Sequence, residues 1–407
     1  MPRNLETSIY RGDPSEVFAR DFIPNTPELE PDEEVVFEKL AAPYHRERPQ
    51  NIQLCQAHPD LAATTYKQGE PETDYREVLR LRQHDEKEDT ERGKMLEAFF
   101  SQMATQLGWF GDRCHAVRTT EYDDRKNATD LVLVFETGQG EPLRLAVDIT
   151  TAEDPATLSK KLNRIVKGID SGRLTELKYY YDKTSGGNKE PVLGHLRGLP
   201  RVVIGLTPEG VTALSKELAL HLTSGGKNVT AEKSLQSNEI QLQLLRDLKQ
   251  QLENEVLRAV LRYIQLISER DEATLFNYRC EQLGPDKYHA LRSLLDLVHD
   301  GVLLEKTDEK IVGAFDKLLE GVPLLEELGR KFGIIYPLTE IVEKHHQIRD
   351  RISSVLEKKE GSQVSRETRA RVKTVSSSRT AWLKTTGLQA KPFTDWLSRL
   401  PSSRQAA

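Results

Sequence analysis

The run RVVIGLT, Arg201 to Thr207, is a short continuous apolar run of the sort found in a buried central strand, covered on both sides of its sheet. Arg113 to Thr120, Leu131 to Phe135 and Leu143 to Thr150 read as three earlier strands, separated by the turn-rich stretches EYDDRKNAT and ETGQGEP. Between the third and fourth strands, Leu158, Leu162, Ile165, Val166 and Ile169 recur at helical spacing, and Pro155 suits the first helical position. Strand, helix and strand in that order form a crossover that leaves the two strands parallel and lays the helix over the sheet. A helix over Thr90 to Leu107 precedes them, with Leu96, Phe99, Phe100, Met103 and Leu107 on one face, and Gly210 to Leu222 continues as another. The expected architecture is therefore an α/β core of αβββαβ order with a mixed sheet, over residues 90–222.

At 407 residues the chain is longer than one hydrophobic core usually serves, and the remainder divides by composition. Residues 1–89 are acidic and punctuated by proline. Met1 to Ala41 alone holds ten acids against four bases, so an extension that is partly disordered, with two short helices, is expected. The Gly-rich TSGGKNVT marks a boundary to a helical domain at 238–358, whose first helix, Asn238 to Arg270, carries a stripe of Leu245, Leu248, Leu252, Val256 and Val260. Further helices are expected over Lys287 to His299, Glu309 to Leu319, Leu324 to Phe332 and Leu338 to Lys358, and this half is a candidate for homodimer formation. Residues 359–407 form a basic Ser/Thr-rich tail, with seven bases and one acid between Gly361 and Phe393.

Charge and cysteine usage exclude several classes. A net charge of −6 argues against indiscriminate binding to nucleic acid. Three widely spaced cysteines give neither a metal knuckle nor a disulfide framework. With no apolar run behind the basic start and no stretch near the ~18 to 20 apolar residues of a membrane span, a cytoplasmic protein without a membrane partner is expected. SGGKN at Ser224 is not a phosphate loop, because His221 and Asn228 stand where such a motif needs glycine and a hydroxyl residue.

Within LRLAVDITTA, Asp148 shares a strand face with Ala146 and Thr150. A carboxylate on an otherwise apolar strand is costly to bury unless it is paired or holds a cation. Asp130 begins the neighbouring strand after a polar turn, so the two acids can meet at one end of the sheet, where oxygen ligands suit a hard cation. On the first helix, Glu97 lies about 100° from the apolar stripe, on the border of the buried face. On the crossover helix, Lys161 lies about 85° from the stripe while Lys160 is almost opposite it, so Lys161 is the lysine placed to reach the acids. Asp123 and Asp124, in the preceding turn, are expected to face solvent, with either an alternative to Asp130 as ligand.

This order of elements, with TDLVLVFE and LRLAVDITTA carrying the acids, resembles the restriction-endonuclease-like core of the PD-(D/E)XK nuclease superfamily, in a divergent form similar to segments of uncharacterised bacterial proteins. The resemblance covers about 130 of the 407 residues. It implies Mg²⁺ or Mn²⁺ held by Asp130 and Asp148, Glu97 as a third carboxylate, and phosphodiester hydrolysis in DNA. The family's lysine falls at position 150, which is Thr150 here; the family tolerates migration of that lysine to the neighbouring helix, which Lys161 would represent. NATD also replaces the Pro-Asp or Gly-x-Asp usual at the first acid.

Two function classes follow: a Mg²⁺-dependent nuclease, with Asp130, Asp148, Lys161 and Glu97 as its site, or a catalytically inactive protein of the same fold that binds nucleic acid or mediates assembly. Tyr179, Tyr180 and Tyr181 are read as one buried and two interfacial tyrosines rather than a base-stacking platform, and His345 and His346 as surface residues.

Overall fold

The computed structural model describes residues 29–84, 90–138, 140–151, 155–183, 191–270 and 308–361. At its centre is a four-stranded mixed sheet in the order β1-β2-β3-β6. Strands β1 (Cys114–Arg118), β2 (Leu131–Phe135) and β3 (Leu143–Thr151) run antiparallel in succession, and β6 (Arg201–Leu206) pairs parallel to β3. β2 and β6 are buried along their whole length, as unbroken apolar runs require.

The two sheet faces are covered differently. Leu131, Leu133, Leu145, Val147, Val202 and Ile204 point into the largest apolar cluster. There they meet α6 (Glu91–Thr105), α9 (Pro208–Thr223) and the first half of the long helix α11 (Glu239–Arg270). Thr90 caps α6, its hydroxyl accepting the Gly93 N–H at 3.1 Å, as a threonine at a helix start should. On the other face, Val132, Val134 and Ala146 pack against a hairpin, while Val203 packs under the crossover helix α8 (Pro155–Asp170).

The hairpin, β4 (Thr175–Asp182) and β5 (Val192–Leu199), departs from the sequence-based expectation. The sequence marks only a helix in the crossover, yet this antiparallel pair is inserted between α8 and β6. Its pairing shifts register twice, and β5 alternates irregularly between exposed and buried residues, so neither strand carries a clean period of two. Tyr179 and Tyr180 are both buried and Tyr181 is half-buried.

The acidic N-terminal part differs most from expectation. Its described portion is helical: α1 (Pro31–Val36) passes through a π-helical turn, Phe37–Ala41, into α2 (Ala42–Arg46), followed by α3 (Asn51–Ala57), α4 (Pro59–Thr65) and α5 (Glu70–His84). Val36 and Ala41 are buried in the main apolar cluster and Tyr66 packs with Tyr179 and Leu193, and polar anchors complete the docking. Glu33, fully buried, accepts two bonds from the Arg92 guanidinium and one from the Thr212 hydroxyl. Asp74 accepts the Tyr179 hydroxyl at 2.6 Å and pairs with Lys178 at 2.5 Å. Such anchors leave no hydrophobic period in the sequence, which is why composition alone suggests a loose extension.

EYDDRKN forms a helix, α7 (Glu121–Asn127), capped by Thr120 and ended by Ala128 in the left-handed region at φ 49°. C-terminal to α9, α10 (Val229–Gln236) leads into α11. The predicted helices Glu309 to Leu319 and Leu324 to Phe332 are one helix, α12 (Asp308–Lys331), with Pro323 inside it, and α13 (Leu338–Gly361) follows. The expected helix Lys287 to His299 and the basic tail beyond Gly361 lie outside the described residues.

The helical half is not separated from the sheet by its packing. Leu242, Leu245, Leu248 and Leu252 of α11 and Ile348 and Ile352 of α13 belong to the same apolar cluster as the strands. Further along α11, Val256 and Val260 join a second cluster with α8, α12 and α13. The apolar stripe of α11 is thus buried within the chain. No helix among the described residues is long and apolar enough to cross a membrane.

Candidate functional site

The pairing of β2 with β3 places Leu131 opposite Val147, and one residue further this register sets Asp130 opposite Asp148. Directly opposed residues of an antiparallel pair have Cβ atoms about 4.5 to 5.5 Å apart on a shared face. The Asp130 backbone N–H donates to Val147 O at 2.9 Å, and its carboxylate Oδ2 accepts the Ile149 backbone N–H at 2.5 Å. Both carboxyl groups are buried, Asp148 at 2% exposure and Asp130 at 7%.

Lys161 arrives from α8, on the face that also holds Asp148. Its ammonium donates to Asp148 Oδ1 at 2.5 Å and to Ile149 O at 2.6 Å. Lys160, one residue earlier, is exposed, as its angular position predicts. The second oxygen of Asp148, Oδ2, is buried and accepts no hydrogen bond among the described residues. Thr150, on the same strand face as Asp148, turns its hydroxyl to Thr151 O at 3.2 Å.

Glu97 lies at the border of α6, as expected, and is buried at 8% exposure. His45 Nε2 comes within 3.9 Å of it. Burial, followed by the negative charges of Glu97, Asp124 and Asp148, pushes the Asp130 carboxyl well above the ordinary carboxylate range against the opposing charge of Lys161. Four carboxyl groups therefore share one field at this sheet end. Lys161 responds in the opposite sense: burial alone would lower it, but Asp148 and Asp130 outweigh that and hold the ammonium above its ordinary value.

Three residues at the site escape the sequence reading. Arg48, between α2 and α3, pairs with Asp124 at 2.7 Å, and its Nε and Nη2 are buried without hydrogen-bond partners among the described residues. Burial works against its charge, yet Asp124, Glu97 and Asp130 together hold it firmly protonated. Arg118, at the end of β1, donates to Tyr44 O, lies 3.9 Å over the Tyr44 ring and meets His45 Nδ1 at 3.0 Å. Burial first, then the Arg118 charge, depresses the His45 imidazole to about 4, so it is neutral at pH 7. No signal in the sequence of residues 42–50 marks His45 and Arg48 for this place; only the docking of α1–α3 delivers them, to meet Arg118 at the end of β1.

Asp123 and Asp124 separate in role. Asp124 is half-buried on Arg48. Asp123, expected to face solvent, is fully buried and ties α7 to β4, accepting the backbone N–H groups of Lys178 and Tyr179 at 2.7 and 2.8 Å. His345 is likewise buried rather than superficial, with Nε2 2.7 Å from Glu255 Oε2 and Nδ1 2.6 Å from Ile341 O.

A hard divalent cation prefers several oxygen ligands. Among the described residues no three His, Cys, Asp or Glu side chains are gathered as a ready metal cage. The pair Asp130 and Asp148 nevertheless suits such an ion. Asp148 Oδ2 is a buried acceptor with no hydrogen bond to it among the described residues, and Asp130 is an acid whose ionisation is opposed by its neighbours. A cation between them would answer both.

Comparison of the chain with protein-family models, with curated proteins and with solved structures gives no match.

Proposed function

We propose that this protein is a divalent-metal-dependent phosphodiester hydrolase acting on DNA, built on a restriction-endonuclease-like core. The observation that carries the reading is the meeting of Asp130 and Asp148 from adjacent strands with Lys161 from the crossover helix. The order α6, β1, β2, β3, α8, β6, with β6 parallel to β3 and with α7 and the β4–β5 hairpin inserted, supports the resemblance drawn from the sequence.

Asp130 and Asp148 would hold Mg²⁺ or Mn²⁺, which when bound supplies Lewis acidity to a phosphoryl oxygen. The chain's own groups do the rest. Lys161 keeps its proton and has two anchors, so Ile149 O would still hold the ammonium beside the site if Asp148 were to ligate an ion. From there it neutralises charge developing on the phosphate, a contribution worth about 10²- to 10³-fold in rate. Glu97 is the third carboxylate of the site and the strongest charged neighbour acting on Asp130. Arg48 brings a second cation to the site, held beside the acids by Asp124.

One feature favours the second reading, a catalytically inactive protein of this fold that binds nucleic acid or mediates assembly: Thr150 stands where the resemblance asks for lysine, and Lys161 is engaged with Asp148. Incubating the full chain with plasmid DNA and Mg²⁺ or Mn²⁺, beside an Asp148→Ala control, separates the two. The hydrolase reading expects nicking or linearisation by the wild type alone. Cleavage that persists in Asp148→Ala, or none with either ion, refutes it.

A further inference from the structure

Beside the acid cluster, a cavity of about 630 Å³ opens between α7, α8, the start of β4 and β6. Its wall carries Lys126, Arg164, Lys167, Arg173 and Arg201 against two acids, Glu176 and Glu255. In a chain of net charge −6, five bases lining one cavity is a local reversal of sign. Clefts lined by one sign of charge between low-dielectric walls concentrate ions of the other.

The cavity also contains an arginine with no internal employment for most of its donors. Arg201 is only 6% exposed, and it donates from Nη1 to Asn127 O at 2.8 Å. Its Nε and Nη2 are buried and have no hydrogen-bond partner among the described residues. Leaving such donors buried and unpaired is costly, and an oxyanion in the cavity would satisfy them. Arg164, Lys167 and Arg173 are exposed and pair with no carboxylate among the described residues. Among the described residues, Lys126 is the one of the five bases paired with a carboxylate, that of Glu77.

The cavity's position gives the ligand its direction. Arg201 of β6 pairs with Ala146 of β3, two residues before Asp148 and on the same strand face, so the cavity lies beside the candidate site. On α8, Lys161, Arg164 and Lys167 follow one another at three-residue intervals, about 4.5 Å apart along the helix axis. Cations so spaced, leading away from the acids, match a ligand with repeating negative charge better than a single anion.

We propose that this cavity binds the phosphate backbone of a nucleic-acid strand as it leaves the acid site, with Arg201 at its floor and Arg164, Lys167 and Arg173 along its rim. The identity of the strand as substrate rests on the hydrolase reading; the affinity of the cavity for phosphates does not.

The test measures anisotropy of a fluorescein-labelled single-stranded oligodeoxythymidylate with the full chain in EDTA, over a range of salt. Replacing Arg164, Lys167 and Arg173 together by alanine should raise Kd at least about tenfold and flatten the salt slope by about 2, at roughly 0.7 for each phosphate no longer neutralised. All three are exposed, so folding should be unaffected, and Lys216→Ala with Lys233→Ala, exposed on α9 and α10, serves as a surface-lysine control that should change Kd less than about twofold. A triple variant within about twofold of the wild type, or a wild type that does not bind, overturns the proposal. Competition by adenosine triphosphate at the oligonucleotide's own concentration overturns the strand assignment. Binding that depends on the three bases, without cleavage by the wild type in Mg²⁺, supports the cavity and sinks only the hydrolase.

Discussion

Replacing Lys161 by methionine should destabilise the protein, and adding Asp148→Asn should restore most of the loss. In the wild type, the Asp148 carboxylate is 3% exposed at its side chain and takes its single charge-assisted bond from Lys161, the other oxygen having none among the described residues. Removing one partner of a fully buried ion pair costs about 3 to 5 kcal/mol, because the remaining charge is left uncompensated. Lys161 is 23% exposed at its side chain, so water can enter as the ammonium leaves, and the lower figure of about 2 to 3 kcal/mol is the better expectation. The double variant carries no buried charge at this point. The two substitutions should therefore be non-additive by about 1 to 3 kcal/mol, read from denaturant unfolding in EDTA. Millimolar Mg²⁺ should stabilise Lys161→Met more than the wild type, since a cation at Asp148 replaces what the lysine supplied. Additive effects, or a Lys161→Met variant as stable as the wild type, would show that the pair is not buried together as described.

Two further outcomes follow from the same structure. Asp130→Asn should stabilise the metal-free protein while abolishing any cleavage. The folded-state carboxyl is raised, so the wild type loses stability as pH rises from the ordinary carboxylate value of 3.8. The gain should accordingly be absent at acid pH and grow toward neutrality in pH-dependent melts, and a gain independent of pH would contradict the like-charge field. Arg92→Ala should cost about 3 kcal/mol or more by stranding buried Glu33, and hydrogen exchange should show α1 and α2 released from α6. Burial raises the Glu33 carboxyl, but the bonds from Arg92, Glu30 and Thr212 hold it below its ordinary value of 4.5. This anchor thus stabilises at neutral pH and weakens as pH falls through the folded-state value. Unchanged exchange in residues 31–46 would remove the ion pair from the account of that docking.

What the sequence determined by itself is the part governed by period. Unbroken apolar runs located β2 and β6, the 3.6-residue repeat located α6, α8 and α11, and an acid inside an apolar strand singled out Asp148. Even the choice of Lys161 over Lys160 followed from angle alone, because a helix fixes where each side chain leaves its axis. The fold alone settles the irregular β4–β5 hairpin and the parts joined by polar bonds between distant segments. The docking of α1–α5, the delivery of Arg48 and His45 to the acids, the burial of Asp123 and His345, and the cavity around Arg201 are examples. These depend on a few hydrogen bonds each, from residues separated by tens of positions, and a single polar side chain repeats with no period that a sequence can display. Hydrophobic burial is a property of whole faces and is written many times over along a segment; a buried charge pair is written once at each end, and only the fold brings the ends together.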